Sequence, residues 1–246
     1  MATQEDLNSE WERLASEWIR EARDGPNLTR TALLDRPMLD ACGDVEGSYV
    51  LDCGCGEGRF SRMLAELGVG HVLGVDLCSA MIDAALEASG ERQEYRLGDV
   101  QNLVGLEGAS FDLCVSYLNQ CDLPDFMANN HEVFRLLKPG GRFVVANLHP
   151  MRSAVGAWCR TDTGEKRHVI LDDYLDEGER RWRMMGSDLT NFHRSLSTYV
   201  RGFLDAGFVI ADLIEPTVGS EHLEQFPGLG DERRVPNFIV YVLTKP

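Results

Sequence analysis

Apolar side chains recur along this chain at two spacings, and each spacing predicts a different kind of element. Over residues 4–22 they fall three or four positions apart, which predicts a helix with one apolar face. A second helix is predicted over residues 28–42, with Gly43 ending it. After residue 48, short apolar runs typical of strands alternate with helical patterns. Seven strands are predicted in this way: Tyr49–Cys53, His71–Asp76, Glu94–Leu97, Phe111–Tyr117, Phe143–Leu148, Phe208–Ile214 and Asn237–Leu243.

Helices are predicted between the strands, over Phe60–Leu67, Ser79–Ala88, Phe126–Leu137 and Ser195–Ala206. Ser79 is a residue type that caps helix N-termini, so it is expected to be the N-cap of its helix. Strands that alternate with helices indicate an α/β fold, a Rossmann-like doubly wound sheet of mostly parallel strands. The long loop between the last two strands suits an antiparallel hairpin, so the last strand is expected to run antiparallel.

Two parts of the chain fall outside this alternation. Residues 1–45 hold only the first two helices, and we interpret them as an N-terminal helical cap on a domain of residues 46–246. Residues 151–190 are charged and weakly periodic. We interpret them as an insert, or lid, over the carboxyl ends of the strands and before the last helix; an ordinary surface excursion is the alternative. The insert carries Trp158 and Trp182, which leaves open a contact with substrate or with the second subunit of a homodimer.

Composition narrows the classes of partner. The chain has 246 residues and a formal net charge of −16, from 24 basic and 40 acidic side chains. Nucleic-acid binders depend on basic patches for phosphate contacts, so this balance disfavours a nucleic-acid partner. The sequence has no run of about 18 apolar residues that would predict a membrane span, and its first residues do not resemble a signal peptide. The seven cysteines include Cys53 and Cys55 but no C-x-x-C pair, so we expect reduced thiols, no metal site and a cytoplasmic location.

Three glycines at alternate positions follow the first predicted strand, within the segment Val50–Gly58. A backbone without Cβ atoms lets a ligand approach closely, so this turn predicts a nucleotide-sized ligand. The pattern reads D-x-G-x-G-x-G from Asp52, whereas a dinucleotide-binding turn requires a glycine where Arg59 stands. A nicotinamide oxidoreductase is disfavoured for this reason, and also because Phe203 replaces the lysine of a Tyr-x-x-x-Lys pair starting at Tyr199.

Residues suited to such a ligand stand at the ends of the next predicted strands. Asp76 lies about 20 positions past the glycines, where an acidic side chain accepts hydrogen bonds from both ribose hydroxyls. Asp99 can accept the adenine amino group while the backbone of Val100 meets a ring nitrogen. Ser116 and Tyr117 end the fourth strand, nearest the glycine turn. In an open α/β sheet these carboxyl ends meet at the ligand crevice, so we expect all of them at one site.

The glycine turn, the acidic strand end, Gly98-Asp99-Val100, the segment from Phe111 and the Leu136–Gly141 turn resemble the class I S-adenosylmethionine-dependent methyltransferases. The resemblance covers residues 48–150 and points to the branch that methylates small molecules, of the ubiquinone and natural-product type. It implies S-adenosylmethionine as cofactor and methyl transfer to a small-molecule acceptor. For Leu77 and Met81, apolar contact with adenine and plain core packing stay open. By the resemblance, the cofactor-binding residues are Asp52, Gly54, Cys55, Gly56, Gly58, Asp76, Leu77, Met81, Asp99, Val100, Ser116 and Tyr117.

A catalytic base is needed only where the methyl acceptor carries a proton at the working pH. Two histidines have suitable positions, since a neutral imidazole can take up a proton near pH 7. These catalytic candidates are His149, just after the fifth strand, and His193, just after the insert. A structural hydrogen bond or a helix cap is the alternative for both. Tyr117 and Tyr199 are further candidates for acceptor contact, and Arg30 of the cap either binds the cofactor carboxylate or faces solvent.

Other activities stay open beside a small-molecule methyltransferase. One is a protein or RNA methyltransferase, which an electropositive channel would favour. Another is a non-catalytic protein that binds S-adenosylmethionine, although a dead site has no need for all of the intact glycines and aspartates of the turn and strand ends. The sequence does not separate O-, N- and C-methylation, because the same cofactor site and fold serve all three.

Overall fold

The computed structural model describes residues 2–25 and 28–246. In this part of the chain the strands are β1 (Tyr49–Cys53), β2 (His71–Asp76), β3 (Gln93–Leu97), β4 (Phe111–Tyr117), β5 (Leu137–Leu148), β6 (Val155–Arg160), β7 (Lys166–Asp172), β8 (Gly178–Met184), β9 (Ser187–His193), β10 (Val209–Ile214) and β11 (Phe238–Thr244). The α-helices are α1 (Gln4–Asp24), α2 (Leu28–Leu33), α3 (Asp35–Cys42), α4 (Arg59–Glu66), α5 (Ser79–Glu87), α6 (Phe126–Leu136), α7 (Pro150–Ser153), α8 (Leu196–Asp205) and α9 (Ser220–Gln225). Short 3₁₀-helices span Gln120–Asp122 and Pro227–Arg233.

Seven strands form one sheet in the order β10-β11-β5-β4-β1-β2-β3. β1 pairs in parallel with β2 and β4, β2 pairs in parallel with β3, and β4 with β5. β11 runs antiparallel to both of its neighbours, β5 and β10. The prediction of a Rossmann-like sheet of seven strands with an antiparallel last strand is confirmed.

The central strands are buried on both faces, which explains why most of their residues are apolar. Successive side chains of a strand point to opposite faces of the sheet. Phe143 of β5 accordingly packs in one cluster with Phe203 of α8, while its neighbour Val144 packs in the other with Leu64 of α4 and Met38 of α3. All five side chains are fully buried. The two layers of helices hold the sheet rigid behind the edge where the strands end.

The second predicted helix is interrupted and forms two helices, α2 and α3. Pro37 explains the interruption. Proline has no N–H to donate to the carbonyl of Leu33, four residues earlier, and its ring clashes there. The chain therefore leaves helical geometry at Leu34, where φ is −116° and ψ is −35°.

A side chain of another helix accepts a hydrogen bond from the backbone at the N-terminus of α5. Its N-cap is Cys78, which makes no side-chain capping bond, so the prediction that Ser79 caps this helix is wrong. The backbone N–H and the Oγ of Ser79 instead donate to Oε1 of Glu12 in α1, at 2.6 and 2.9 Å. A carboxylate is favourable at a helix N-terminus, where backbone N–H groups lack partners. This contact joins α1 to α5.

The insert forms two β-hairpins, β6–β7 and β8–β9, which its weak periodicity did not predict. The second hairpin ends at His193 rather than at residue 190. It is also tied to α1, because Glu10 accepts hydrogen bonds from the backbone N–H of Thr190 at 2.7 Å and from Arg181 at 2.6 Å. One helix thus bridges α5 and the second hairpin.

Two further boundaries differ from the sequence patterns. β5 begins at Leu137 rather than at Phe143, because a register shift against β4 accommodates the proline and glycines that were expected to form the turn before it. The long loop between β10 and β11 contains α9 and a 3₁₀-helix, so α8 is not the last helix. None of the described helices is long and apolar enough to cross a membrane. All seven cysteines are free thiols.

Candidate functional site

A cavity of about 630 Å³ lies at the carboxyl edge of the parallel strands, where β1, β2 and β4 end. This is the place where open α/β sheets bind their ligands. The glycine turn after β1, helix α1 and the β8–β9 hairpin all contribute to its walls. Three tryptophans contribute to the lining, Trp11 and Trp18 from α1 and Trp182 from β8. Trp158 is not among the described residues that line it; Lys166 and Arg234 lie over its ring.

The three glycines of the turn have different roles. All have positive φ, at +72° for Gly54, +53° for Gly56 and +82° for Gly58, a region that favours glycine. A Cβ on Gly54 would overlap the side chain of Asn119, and one on Gly58 would lie 2.6 Å from the hydroxyl of Tyr95. A Cβ on Gly56 would meet no atom within 4 Å. Gly54 and Gly56 line the cavity, whereas Gly58 lies behind it and begins α4.

Asp76 at the end of β2 holds the glycine turn in place. Its Oδ2 accepts the backbone N–H of Gly56 at 2.8 Å, and its Oδ1 accepts that of Cys78 at 2.9 Å. Burial raises the pKa of this carboxyl, and the two backbone N–H groups oppose the rise. The side chain also lines the cavity, so a ligand there meets an acidic group whose orientation is fixed.

Asp52 is almost completely buried beneath the same turn and also lines the cavity. Ser61 donates to its Oδ2 at 2.6 Å. Its Oδ1 is buried and accepts no hydrogen bond from the described residues. Burial, the largest cause, raises the pKa of this carboxyl to about 7. One acceptor atom of this lining residue is therefore buried without a hydrogen-bond partner among the described residues.

The pKa of Asp52 predicts how stability depends on pH. Its folded-state pKa lies above the unfolded value of 3.8, so its contribution to stability is lost as pH rises from about 4 to about 7. Asp52→Asn removes the charge and keeps an oxygen for Ser61. We expect the free energy of unfolding of the variant, relative to the wild type, to rise by about 2 kcal/mol between pH 5 and pH 8. Urea unfolding at both pH values measures this difference.

The control for this experiment is Asp188→Asn, because Asp188 is exposed on the β8–β9 hairpin. Its stability relative to the wild type is expected to be the same at pH 5 and pH 8. An equal difference at both pH values for Asp52→Asn would show that the fold does not raise the pKa of this carboxyl.

The adenine-side candidates lie together at one end of the cavity. Asp99, Val100, Leu77 and Met81 all line it. Asp99 accepts the backbone N–H of the next residue but one at 2.9 Å, which fixes its carboxylate. Met81 also packs in a small apolar cluster under α1, so both of the roles left open for it are compatible with its position.

A network of charged and aromatic side chains lies at another side of the cavity. Arg30 of α2 has its guanidinium 4.3 Å from the ring centroid of Trp18 and 5.7 Å from that of Tyr117. Tyr117 donates to Asp35 at 2.8 Å, and Arg59 forms a two-point ion pair with the same carboxylate. Burial lowers the pKa of Arg30. Arg30 lines the cavity rather than facing bulk solvent.

Of the two remaining cofactor candidates, Cys55 and Ser116, only Ser116 lies behind the lining. Cys55 lines the cavity, but Ser116 is fully buried in β4 and is not among the described lining residues. The Oγ of Ser116 has no hydrogen-bond partner among the described residues. Side chains alternate along a strand, so Tyr117 points to the cavity and Ser116 points away from it.

The two candidate histidines lie outside the cavity. His149 is buried, its Nε2 is 3.0 Å from Oε1 of Glu215, and its other ring nitrogen caps α7. His193 is also buried, with Nδ1 2.8 Å from the Oγ of Ser153 and Nε2 2.9 Å from the carbonyl of Tyr174. Within the described chain, neither ring lines the cavity. Both histidines therefore have the hydrogen-bonding and capping contacts that the sequence left open as the alternative.

Several lining residues were missed by the sequence patterns. Asp122 and Asn191 are among the polar ones, and the hairpin adds Met184 and Leu189. No motif marks them, because a 3₁₀-turn and a hairpin bring them together across the fold. One signal was available: the apolar face predicted for α1 is the face that lines the cavity, although such a face is ordinarily core.

Known proteins with similar sequences or folds indicate the class of enzyme. A family model described as a methyltransferase domain matches residues 51–145, from β1 into β5. The crystal structure of an S-adenosylmethionine dependent methyltransferase from Mesorhizobium loti matches with a TM-score of 0.78 and 29% sequence identity, covering 85% of this chain and 96% of that one. This protein is an S-adenosylmethionine-dependent methyltransferase with a Rossmann-like fold. The predicted family, the enzyme class and S-adenosylmethionine as the cofactor of this methyltransferase are confirmed.

Two curated relatives of the methyltransferase are O-methyltransferases. Malonyl-[acyl-carrier protein] O-methyltransferase of Serratia marcescens is 38% identical over 128 residues, which are 50% of this chain and 47% of the relative. Ubiquinone biosynthesis O-methyltransferase of Xanthomonas oryzae pv. oryzae is 34% identical over 144 residues, 55% of this chain and 58% of the relative. The chain thus matches about half the length of these two relatives, and their acceptors do not carry over to it as findings.

Proposed function

We propose that this methyltransferase transfers a methyl group from S-adenosylmethionine to a small-molecule acceptor. One observation carries the proposal: a single cavity of about 630 Å³ is lined both by the glycine turn and by apolar side chains of α1 and the β8–β9 hairpin. Its volume falls within the range of about 300–1,000 Å³ that small-molecule sites occupy. The names of the two curated relatives, both O-methyltransferases, support an acceptor of this kind.

The cavity lining fits the cofactor. Gly56 presents a surface that a Cβ would fill, as a close backbone approach to a ligand requires. Asp52 Oδ1 and Asn119 Oδ1 are buried acceptors that receive no hydrogen bond from the described residues, and both side chains line the cavity. A buried acceptor without a partner is costly, so these two atoms suit a ligand with a cationic amino group.

The lining residues divide the cofactor between them in this proposal. Asp76 binds the ribose hydroxyls, and Asp99 with Val100 binds adenine between apolar neighbours. Asp52 with Asn119 binds the amino group of the methionine portion, and Arg30 binds its carboxylate. When bound, S-adenosylmethionine supplies a methyl group already activated on a sulfonium. What the protein adds is alignment of the acceptor and exclusion of water, which together account for much of the rate in such transfers.

The β8–β9 hairpin is the acceptor side of the site in this proposal. It supplies Trp182 and Met184 to the cavity wall, whereas Trp11 and Trp18 of α1 pack with Met81 on the adenine side. Glu10 and Glu12 anchor α1 to the hairpin and to α5, which keeps water out of the space between them. A cytoplasmic location accompanies the proposal, since seven free thiols suit a reducing compartment. A homodimer stays a prediction.

Calorimetric titration tests the cofactor half of the proposal. We expect S-adenosylmethionine and S-adenosylhomocysteine to bind with dissociation constants in the micromolar range, about −8 kcal/mol, because the cavity satisfies several buried polar atoms of the protein. NAD is the matched control, because it shares adenosine but not the methionine portion. Binding of NAD as tight as that of the sulfur nucleosides, or no binding of either sulfur nucleoside, would contradict the assignment.

A further inference from the structure

We propose that Asp122 is the catalytic base of this methyltransferase, and that its Oδ2 takes the proton from a hydroxyl carried on an apolar ring of the acceptor. The inference rests on the proposed function and deepens it by naming a residue and a class of acceptor. Asp122 ends the 3₁₀-helix Gln120–Asp122, which follows β4 directly, and its side chain lines the cavity.

The carboxylate of Asp122 has one occupied and one available oxygen. Its Oδ1 accepts a hydrogen bond from the side-chain amide of Asn191 in β9, and the thiol of Cys121 lies 3.7 Å from the same atom. No donor among the described residues reaches Oδ2. The side chain is only partly buried, so that oxygen is accessible from the cavity. A positioned base requires this arrangement, in which the protein holds one carboxylate oxygen and the other oxygen is free to meet a ligand.

Asn191 is a positioning residue for this base. It belongs to the β8–β9 hairpin, whereas Asp122 belongs to the sheet side of the cavity. The neighbouring Thr190 is fixed to Glu10 of α1 by both its backbone N–H and its hydroxyl. The amide of Asn191 therefore reaches Asp122 from an anchored strand, and this fixes the rotation of the carboxylate.

The surroundings of Asp122 suit proton uptake near neutral pH. Burial, the largest cause, raises the pKa of the carboxyl to about 7, and the Asn191 amide opposes the rise. A base with a pKa near the working pH is both ionised and basic enough to take a proton. The titratable and charged groups that face it are Arg30 of α2, Asp76 of β2, Cys121 beside it, and Arg194 and Tyr199 from beneath the 3₁₀-helix.

The neighbouring lining defines the acceptor class. Trp182, Met184, Leu189 and Phe238 supply apolar and aromatic surface to the cavity, and the guanidinium of Arg152 lies 4.5 Å from the centroid of the Trp182 ring. Flat apolar rings gain most from such walls, and a single hydroxyl then finds its acceptor at Asp122. Within the described residues no histidine lines the cavity, so imidazole does not compete for this role.

The proton-transfer step involves only the acceptor hydroxyl and the carboxylate of Asp122. The O–H bond of the acceptor breaks, the proton binds Oδ2 of Asp122, and the electron pair stays on the acceptor oxygen, which becomes the nucleophile. The neutral carboxyl returns its proton to water once the product has left. The step needs no oxidant, reductant or further reactant.

The first test is binding of a matched pair of probes to the protein saturated with S-adenosylhomocysteine. 2-Naphthol carries the hydroxyl, and 2-methoxynaphthalene is the same ring system without a donor. From pH 6 to pH 8 a carboxyl of pKa about 7 goes from about one-tenth to about nine-tenths ionised, so naphthol affinity of the wild type should rise by close to an order of magnitude. Affinity for the methoxy probe should not change. Calorimetry measures both.

Asp122→Asn should remove the pH dependence of naphthol binding and leave methoxynaphthalene binding unchanged. Asn191→Ala should keep the dependence but move its midpoint to higher pH, because a donor to the carboxylate is lost. Asp125→Asn is the matched control: Asp125 caps α6, a position where asparagine serves equally well, and both titration curves should match the wild type. A pH dependence that survives in Asp122→Asn overturns the proposal, as does failure of naphthol to bind the wild type.

The second test is transfer of labelled methyl from S-adenosylmethionine to phenol, catechol and 2-naphthol. At pH 8, Asp122→Asn should lower the rate with the best of these by at least about 100-fold, with affinity for S-adenosylhomocysteine unchanged. That affinity also reports whether the variant is folded. Equal rates in variant and wild type, or no methylation of any phenol, overturn this inference alone. Failure of the wild type to bind S-adenosylmethionine would instead overturn the proposed function.

Discussion

Asp76→Ala is expected to weaken binding of S-adenosylhomocysteine by at least about 100-fold. The wild-type carboxylate is proposed to accept two ribose hydroxyls, and hydrogen bonds to a charged group contribute roughly 1.5–3 kcal/mol each. The substitution also leaves the backbone N–H groups of Gly56 and Cys78 without their acceptor, so the turn loses its fixed position. Calorimetric titration of variant and wild type measures the affinity, and thermal unfolding measures the accompanying loss of stability.

The control for Asp76→Ala is Asp212→Ala, because Asp212 is exposed on the edge strand β10, and its side chain accepts only from the next backbone N–H. The control should bind S-adenosylhomocysteine as the wild type does. An affinity of Asp76→Ala within threefold of the wild type, in a folded protein, would exclude Asp76 as the ribose ligand.

Gly56→Ala is expected to lower affinity for S-adenosylhomocysteine by about 10-fold or more while leaving the fold largely intact. The added methyl group would enter the space proposed for the cofactor, since no atom of the described residues lies within 4 Å of it. Its cost to folding is confined to the positive φ of +53°, about 1–2 kcal/mol for a residue with a Cβ. Affinity is measured by calorimetry and the free energy of unfolding by urea titration.

Gly58→Ala provides the opposite result from the same turn. Its added Cβ would meet the ring and hydroxyl of Tyr95, a buried side chain that has no room to move away. The variant should lose about 2–4 kcal/mol of stability, and its folded fraction should bind S-adenosylhomocysteine more tightly than Gly56→Ala does. If Gly56→Ala loses stability but no affinity, the cofactor does not lie against Gly56.

The central sheet and the glycine turn could be predicted from the sequence, because each restricts which residue types can occupy its positions. Helices cover both faces of β1, β4 and β5, so most side chains of these strands must be apolar. The turn requires residues that tolerate positive φ, and only the glycine pattern meets that requirement at three alternate positions. The cofactor end of the site follows from the same two constraints.

The hairpins of the insert could not be predicted from the sequence, because burial does not constrain their side chains. β8 reads G-E-R-R-W-R-M, and its side chains are exposed or only partly buried along the whole strand. A strand that buries neither face completely has no need of a regular apolar pattern. Charged side chains therefore hide the alternation that otherwise marks a strand.

The acceptor end of the site depends on contacts between residues far apart in the chain. Asn191 meets Asp122 across 69 positions, and Glu215 meets His149 across 66. The sequence placed His149 correctly at the end of a strand, but it did not reveal the partner that engages its ring. Which polar residue faces the ligand is decided by tertiary packing, which no local spacing encodes.

The distribution of tryptophan gives the protein a built-in optical reporter. Three of the four indoles line the cavity, Trp11 and Trp18 on the side of α1 and Trp182 on the hairpin. Trp158 lies outside it, under Lys166 and Arg234, and supplies a constant background. Intrinsic emission therefore follows occupancy of the cavity without any attached dye. Replacing Trp182 alone by phenylalanine separates the signal of the hairpin from that of the helix, so arrival of the two ligands can be timed independently in a stopped-flow instrument.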